Sequence, residues 1–253
     1  SINTLGGTGL WDEADGFYYD QLHAGDQQIP LRVRSMVGLL PLIAVEVLEA
    51  DTLAALPEFK RRMDWFLENR PSQARHIVSD GAAGGRYLLC IASRERLERV
   101  LRTVLDENEF LAPGGLRALS RAHRENPYRF QVGEQEFRVD YDPAESTSGL
   151  FGGNSNWRGP IWFPVNYLLI EALQRYHHFY GDALELESPT GSGRRSDLAT
   201  IARGLSERLA GLFLPDPSGR RPCHGDEPRF AGDPHWRDLL VFPEYFHGDD
   251  GRG

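Results

Sequence analysis

The chain has 253 residues, 40% of them hydrophobic and 11% aromatic, which is enough for a sizeable core in one large domain or two modest ones. Its 37 acidic and 28 basic residues leave a formal charge of −9, and no basic stripe of the kind nucleic-acid binders carry is visible. Two cysteines, Cys90 and Cys223, form no disulfide framework and lack metal-ligand spacing.

No run approaches the roughly 18 apolar residues of a bilayer span, so no membrane partner is expected. No secretory signal is evident, which points to the cytoplasm. The chain opens on Ser1 rather than methionine, so a preceding signal or domain stays open.

In chain order, the turn-rich opening leads into the aromatic stretch LWDEADGFYYD (10–20). Residues 35–50, apolar on most faces, predict a buried helix kinked at Pro41. Residues 51–70 predict an amphipathic helix with a stripe of Leu53, Leu56, Phe59, Met63, Phe66 and Leu67, capped by Asp51 or Thr52. The same period recurs over 93–107, through Leu97, Val100, Leu101, Val104 and Leu105, and a shorter helix is predicted over 114–125.

Residues 128–141 break the rhythm. Tyr128, Phe130 and Val132 alternate, then Phe137, Val139 and Tyr141, around Gly133, which is a β-hairpin pattern. Helix is predicted again over 163–180 and 194–213, and the following polar stretch reads as loop. Six or seven helices against one hairpin predict an all-α domain whose loops carry function. No GxGxxG, P-loop, HExxH or GxSxG motif occurs.

Three loops concentrate aromatic and polar residues. The first holds Trp11, Asp12, Asp15, Tyr18 and Asp20; the second is NSNWRGPIWFPVNY (154–167); the third holds Trp236, Arg237, Asp238, Glu244, Tyr245, His247 and Asp249. A sugar ring has apolar C–H faces that stack on aromatic rings and a rim of hydroxyls that pairs with Asp, Asn and Arg. Glycoside hydrolysis also needs two carboxyl groups across the scissile bond, one protonated and one ionised. The same residue pairs equally serve to lock loops through cation–π contacts and caps. Glu244, between Pro243 and Tyr245, stands out as a carboxylate in an apolar neighbourhood, against the plainer reading of a surface glutamate. His177 and His178 read as solvated, and the acidic turn Asp140, Asp142 and Glu145 lacks EF-hand spacing, so no metal or cofactor is expected.

NWRGPIWFPVNYLLIEAL resembles the Tyr-Trp-Arg-Gly-Pro-Ile-Trp-x-x-x-Asn-Tyr signature of glycoside hydrolase family 63 and its bacterial relatives. That group includes processing α-glucosidases and mannosylglycerate hydrolase-like enzymes. FLAPGGLRALSR resembles the stretch that precedes the signature, and the first and third clusters also look like bacterial members. The resemblance implies an (α/α)6 barrel, incomplete in this chain, with one small β-hairpin insertion. Residues 1–253 would be the C-terminal portion of one such domain, lacking the front helices and the last helix.

The resemblance also implies hydrolysis of α-linked oligosaccharides or small glycosides with inversion. Glu244 would be the general base, and Trp157, Arg158, Trp162 and Asn166 would bind the sugar, with Trp236 and Tyr245 in the same pocket. Asn156 stands where much of the family has tyrosine. The Gly-Leu-Asp-Asp or Gly-Leu-Asp-Asn segment that carries the family's general acid does not occur, so the acid is expected in the remainder of the polypeptide and the isolated chain is expected to be inactive. A non-catalytic carbohydrate-binding or scaffold domain is the alternative.

Overall fold

The structure, a computed structural model, describes residues 2, 9–74, 77–79, 85–144 and 158–253. It begins with two small hairpins, β1 (Trp11–Asp12) with β2 (Phe17–Tyr18) and β3 (Asp20–Ala24) with β4 (Gln27–Leu31). A 3-10 turn over Met36–Leu39 runs into the four-residue helix α1 (Leu40–Ile43), and the chain then straightens into β5 (Val45–Leu48). Helices α2 (Ala50–Ala55), α3 (Pro57–Asn69) and α4 (Pro71–Ala74) follow, then β6 (Ile77–Ser79) and β7 (Tyr87–Cys90). Strands β5, β7 and β6 form an antiparallel sheet in that order.

Helix α5 (Arg94–Val104) leads to the tight hairpin β8 (Leu111–Ala112) and β9 (Gly115–Leu116) and to the larger hairpin β10 (Tyr128–Val132) and β11 (Gln135–Val139). After β12 (Ile161–Trp162) come the long helix α6 (Phe163–Tyr180), the pair β13 (Glu185–Glu187) and β14 (Arg195–Asp197), helix α7 (Leu198–Gly211), the short α8 (Pro228–Gly232) and β15 (Tyr245–Phe246).

The fold is therefore mixed rather than an all-α barrel: 39% of the described residues are helical and 23% are in strand, spread over several small sheets. Two segments account for much of the difference. Residues 35–50 do not form one helix, because Ala44 leaves helical geometry and Val45 and Val47 pair with Cys90 and Leu88. β-branched residues suit that pleated surface better than a helix interior. Residues 114–125 are drawn out by neighbours instead of coiling. Arg117 N–H donates to Phe110 C=O, Ala118 N–H to Pro160 C=O and Ser120 N–H to Arg34 C=O, and only 121–124 turns, as 3-10.

Where period and caps agree, helices form as expected. Ser93 Oγ accepts the Arg96 N–H at the start of α5, and Leu97, Val100, Leu101 and Val104 are buried. Helix α6 starts beside Pro164 and stops at Gly181, whose φ of 55° a side chain would resist. Asp197 caps α7 by accepting the Thr200 N–H at 2.7 Å. Helices α6 and α7 pack on each other, and they bury Leu169, Ala172, Leu173 and Tyr176 and Leu198, Ile201, Ala202 and Leu205 in the core. Each buried leucine or isoleucine among them contributes about 1.5–3 kcal/mol. The stripe expected over 51–70 is split by Pro57 and buries only Leu53 and Met63, leaving Leu56 and Phe59 about half exposed.

Candidate active site

The second and third sequence clusters meet in a two-stranded ribbon. Strand β12 pairs antiparallel with β15, with Ile161 opposite Phe246 and Trp162 opposite Tyr245. Alternation across the pleat sends Ile161 and Phe246 into the core and leaves Trp162 and Tyr245 half-buried on the other face. Their rings lie 5.5 Å apart at 35°. One residue further on, Phe163 N–H donates to Glu244 C=O at 3.2 Å, so the ribbon also holds the backbone of Glu244. The Glu244 side chain is exposed, and no hydrogen bond or ion pair engages its carboxylate among the described residues. Phe163, Phe213, Phe242 and Phe246 form an aromatic cluster that includes the residue two before Glu244.

The polar residues of the signature face protein groups. Arg158 is buried and donates to Asp140 Oδ1 and to Arg138 C=O, both at 3.2 Å, fastening the end of β11 to the start of the ribbon. Gly159 follows with φ 145°, pressed so close to the Asp142 carbonyl that a side chain has no room. Asn166 is buried in the first turn of α6. Its Oδ1 accepts the Leu116 N–H at 2.7 Å, and its Nδ2 donates to Leu116 C=O at 3.0 Å and to Trp162 C=O at 2.9 Å. The amide thus acts as an extra strand rung between β9 and the turn carrying Trp162. Trp157 lies outside the described residues.

A buried arginine that the sequence did not single out holds the loop after β15. Arg117 donates to Leu111 C=O at 2.6 Å, Gly248 C=O at 3.1 Å and the Tyr141 hydroxyl at 3.2 Å, with Asp249 Oδ1 at 3.7 Å. Tyr141 O–H donates to Asp249 Oδ1 at 2.9 Å, and Arg124 reaches the other carboxylate oxygen at 2.5 Å. Burial opposes ionisation of Asp249, but the Arg124 and Tyr141 hydrogen bonds and the Arg124 and Arg117 charges hold its carboxyl below its ordinary range. Burial pushes the Tyr141 phenol well up, so it stays a donor. Gly248 approaches the Gly159 carbonyl and the Tyr141 hydroxyl too closely for any Cβ, which locks this loop against the signature turn.

The remaining candidates make contacts of their own. Trp236 is half-buried against Phe230, His235 and Arg229. Trp11 is buried between Arg96 and Arg99, its indole N–H donating to Glu13 at 2.7 Å, and Asp12 accepts the Ala14 and Asp15 N–H groups of its own turn. Tyr19 bridges Asp15 and Arg34, and burial pushes its phenol up to about 12. Arg34 in turn pairs with Glu109, which accepts the Ser120 hydroxyl. The first cluster is thus a set of loop locks.

Against known proteins, the profile of the mannosylglycerate hydrolase MGH1-like glycoside hydrolase domain matches residues 66–210, more than half of the chain. The chain belongs to that glycoside hydrolase family. The matched stretch contains Arg117, Arg158, Trp162 and Asn166, while Glu244, Tyr245 and Trp236 lie beyond it. This MGH1-like chain is also 48% identical over 249 residues to YMR196W, an uncharacterized protein of Saccharomyces cerevisiae. The similarity spans 96% of the chain but 23% of that protein, and the relative is a yeast one rather than the bacterial company the motifs suggested.

Proposed function

We propose that the chain is the base-bearing part of an inverting hydrolase of α-linked sugars, of the α-glucosidase type. The ribbon of β12 and β15 carries this reading, because it joins Trp162, Tyr245 and the backbone of Glu244 from sequence positions some eighty residues apart. In this reading a sugar ring lays its apolar C–H face on the Trp162–Tyr245 pair. Glu244, exposed and unengaged, takes a proton from the water that attacks the anomeric carbon. The C–O bond to the leaving group breaks on the opposite face, its oxygen is protonated by a carboxylic acid, and the anomeric configuration inverts. Room for that water requires the acid about 6.5–9.5 Å from Glu244.

The acid is supplied by a part of the protein beyond this chain, which spans 23% of its yeast relative. Arg158 and Asn166 serve the site by holding the Trp162 turn through the bonds given above, with Trp157 as a further wall contact. The test compares hydrolysis of α-linked aryl glucosides by the full-length protein and by the 253-residue chain. Turnover by the first and sugar binding without turnover by the second is the expected pair of results. Wild-type turnover in a full-length Glu244→Gln enzyme would remove the base assignment. Binding with no turnover in either form would instead favour a carbohydrate-binding module, which the aromatic pair alone would suffice to build.

A further inference from the structure

At the far end of α6 a second group of side chains converges. His177 lies in the last turn of the helix, Asp182 in the 3-10 turn that follows, and Asp197 at the cap of α7. One ligand atom from each lies within 4.8 Å of the other two. The His177 side chain is partly exposed, but its Nδ1 is sealed from water and has no hydrogen-bond partner among the described residues. The nearest charged atom is Asp197 Oδ1 at 4.0 Å, too long for a hydrogen bond. A buried imidazole nitrogen left unpaired is costly, and a cation between it and the carboxylates would satisfy it.

We propose that His177, Asp182 and Asp197 bind a divalent transition-metal cation, with zinc the expected occupant. One imidazole and two carboxylates match zinc and its neighbours in donor type, whereas calcium and magnesium take oxygen donors. Two bonds of about 2.0–2.2 Å bridge a gap of the size between His177 and Asp197. Asp182 is exposed, so it has room to swing onto the ion, and water completes the coordination. The frame is rigid where rigidity matters. Asp197 is fixed by the Thr200 N–H, which also lowers its carboxyl below the ordinary value and keeps it ionised. Phe179, Leu184 and Leu198, flanking the three ligands in sequence, are buried.

The site stands about 22 Å along α6 from Trp162, so it is separate from the sugar-binding face and its role is to clamp the end of α6 to the start of α7. Its test is therefore independent of the hydrolase reading. Titrating the 253-residue chain with zinc by calorimetry, and with cobalt by visible absorption, reads the site without any substrate. Expected is saturable one-to-one binding at micromolar zinc with a rise in melting temperature. His177→Gln and Asp182→Asn, checked for unchanged circular dichroism, each weaken it about tenfold or more. His178→Gln should leave it intact, because His178 is exposed and pairs with Glu49. Asp182→Asn only neutralises an exposed carboxylate, so loss of binding there does not arise from misfolding. Absence of one-to-one binding, or wild-type affinity in either ligand variant, overturns the proposal.

Discussion

Replacing Asn166 by alanine probes the frame that carries the site. The substitution removes the acceptor of the Leu116 N–H and the donor to the Leu116 C=O, and Leu116 is 3% exposed. Water cannot reach either group without opening the β9–α6 contact, and a buried polar group left unmade costs about 1–3 kcal/mol. The Trp162 C=O loses a third bond, but it keeps the helical amide as partner. The sum is a loss of about 2–6 kcal/mol in urea unfolding. Asn166→Asp should be no milder, because it keeps one acceptor but turns a carboxylate toward two carbonyl oxygens. Trp162 fluorescence should shift in both variants at zero denaturant, since the turn that carries it is released. A cost below about 0.5 kcal/mol, in the range of ordinary surface changes, would refute the assignment of Asn166 as a rung of the frame.

Three further outcomes are expected. Glu244→Gln in the full-length protein should lower kcat about 10²–10⁴-fold while leaving sugar binding near wild type, measured by steady-state kinetics alongside calorimetry. Tyr245→Ala should weaken sugar binding, read as quenching of the tryptophan signal, whereas Trp236→Ala should not, because Trp236 packs on Phe230 and His235. Burial holds His123 below its usual value, and its Nε2 accepts the Arg34 N–H. The unfolded chain therefore takes up the proton first, so stability present above about pH 6.5 should fall as pH drops below it. A proton-NMR titration of His123 with a midpoint above 6.5 would contradict that sign.

Helices α5, α6 and α7 and the β10–β11 hairpin were legible because period, caps and Gly133 or Gly181 all agreed. Residues 35–50 and 114–125 were not, since short apolar runs carry no period that separates strand from helix, and long-range pairing with β7, Phe110 and Pro160 decided them. The same error hid Arg117. The sequence reading did not single it out, and it is the extended backbone that turns it inward to Gly248 and Asp249. The ribbon residues Trp162, Glu244 and Tyr245 could be picked out as two clusters, but their convergence is a tertiary fact. The approach of Asp197 to His177 is likewise a tertiary fact, since helical position alone says nothing about a cap arriving from twenty residues downstream.

The account stands most directly on the stereochemistry of cleavage. Proton NMR of the first-formed sugar released from an α-linked aryl glucoside by the full-length protein reads it within minutes. Inversion with Glu244 as base predicts that the β-anomer appears first and that Glu244→Gln abolishes its formation. First appearance of the α-anomer, or undiminished β-anomer from the Glu244→Gln enzyme, would contradict it.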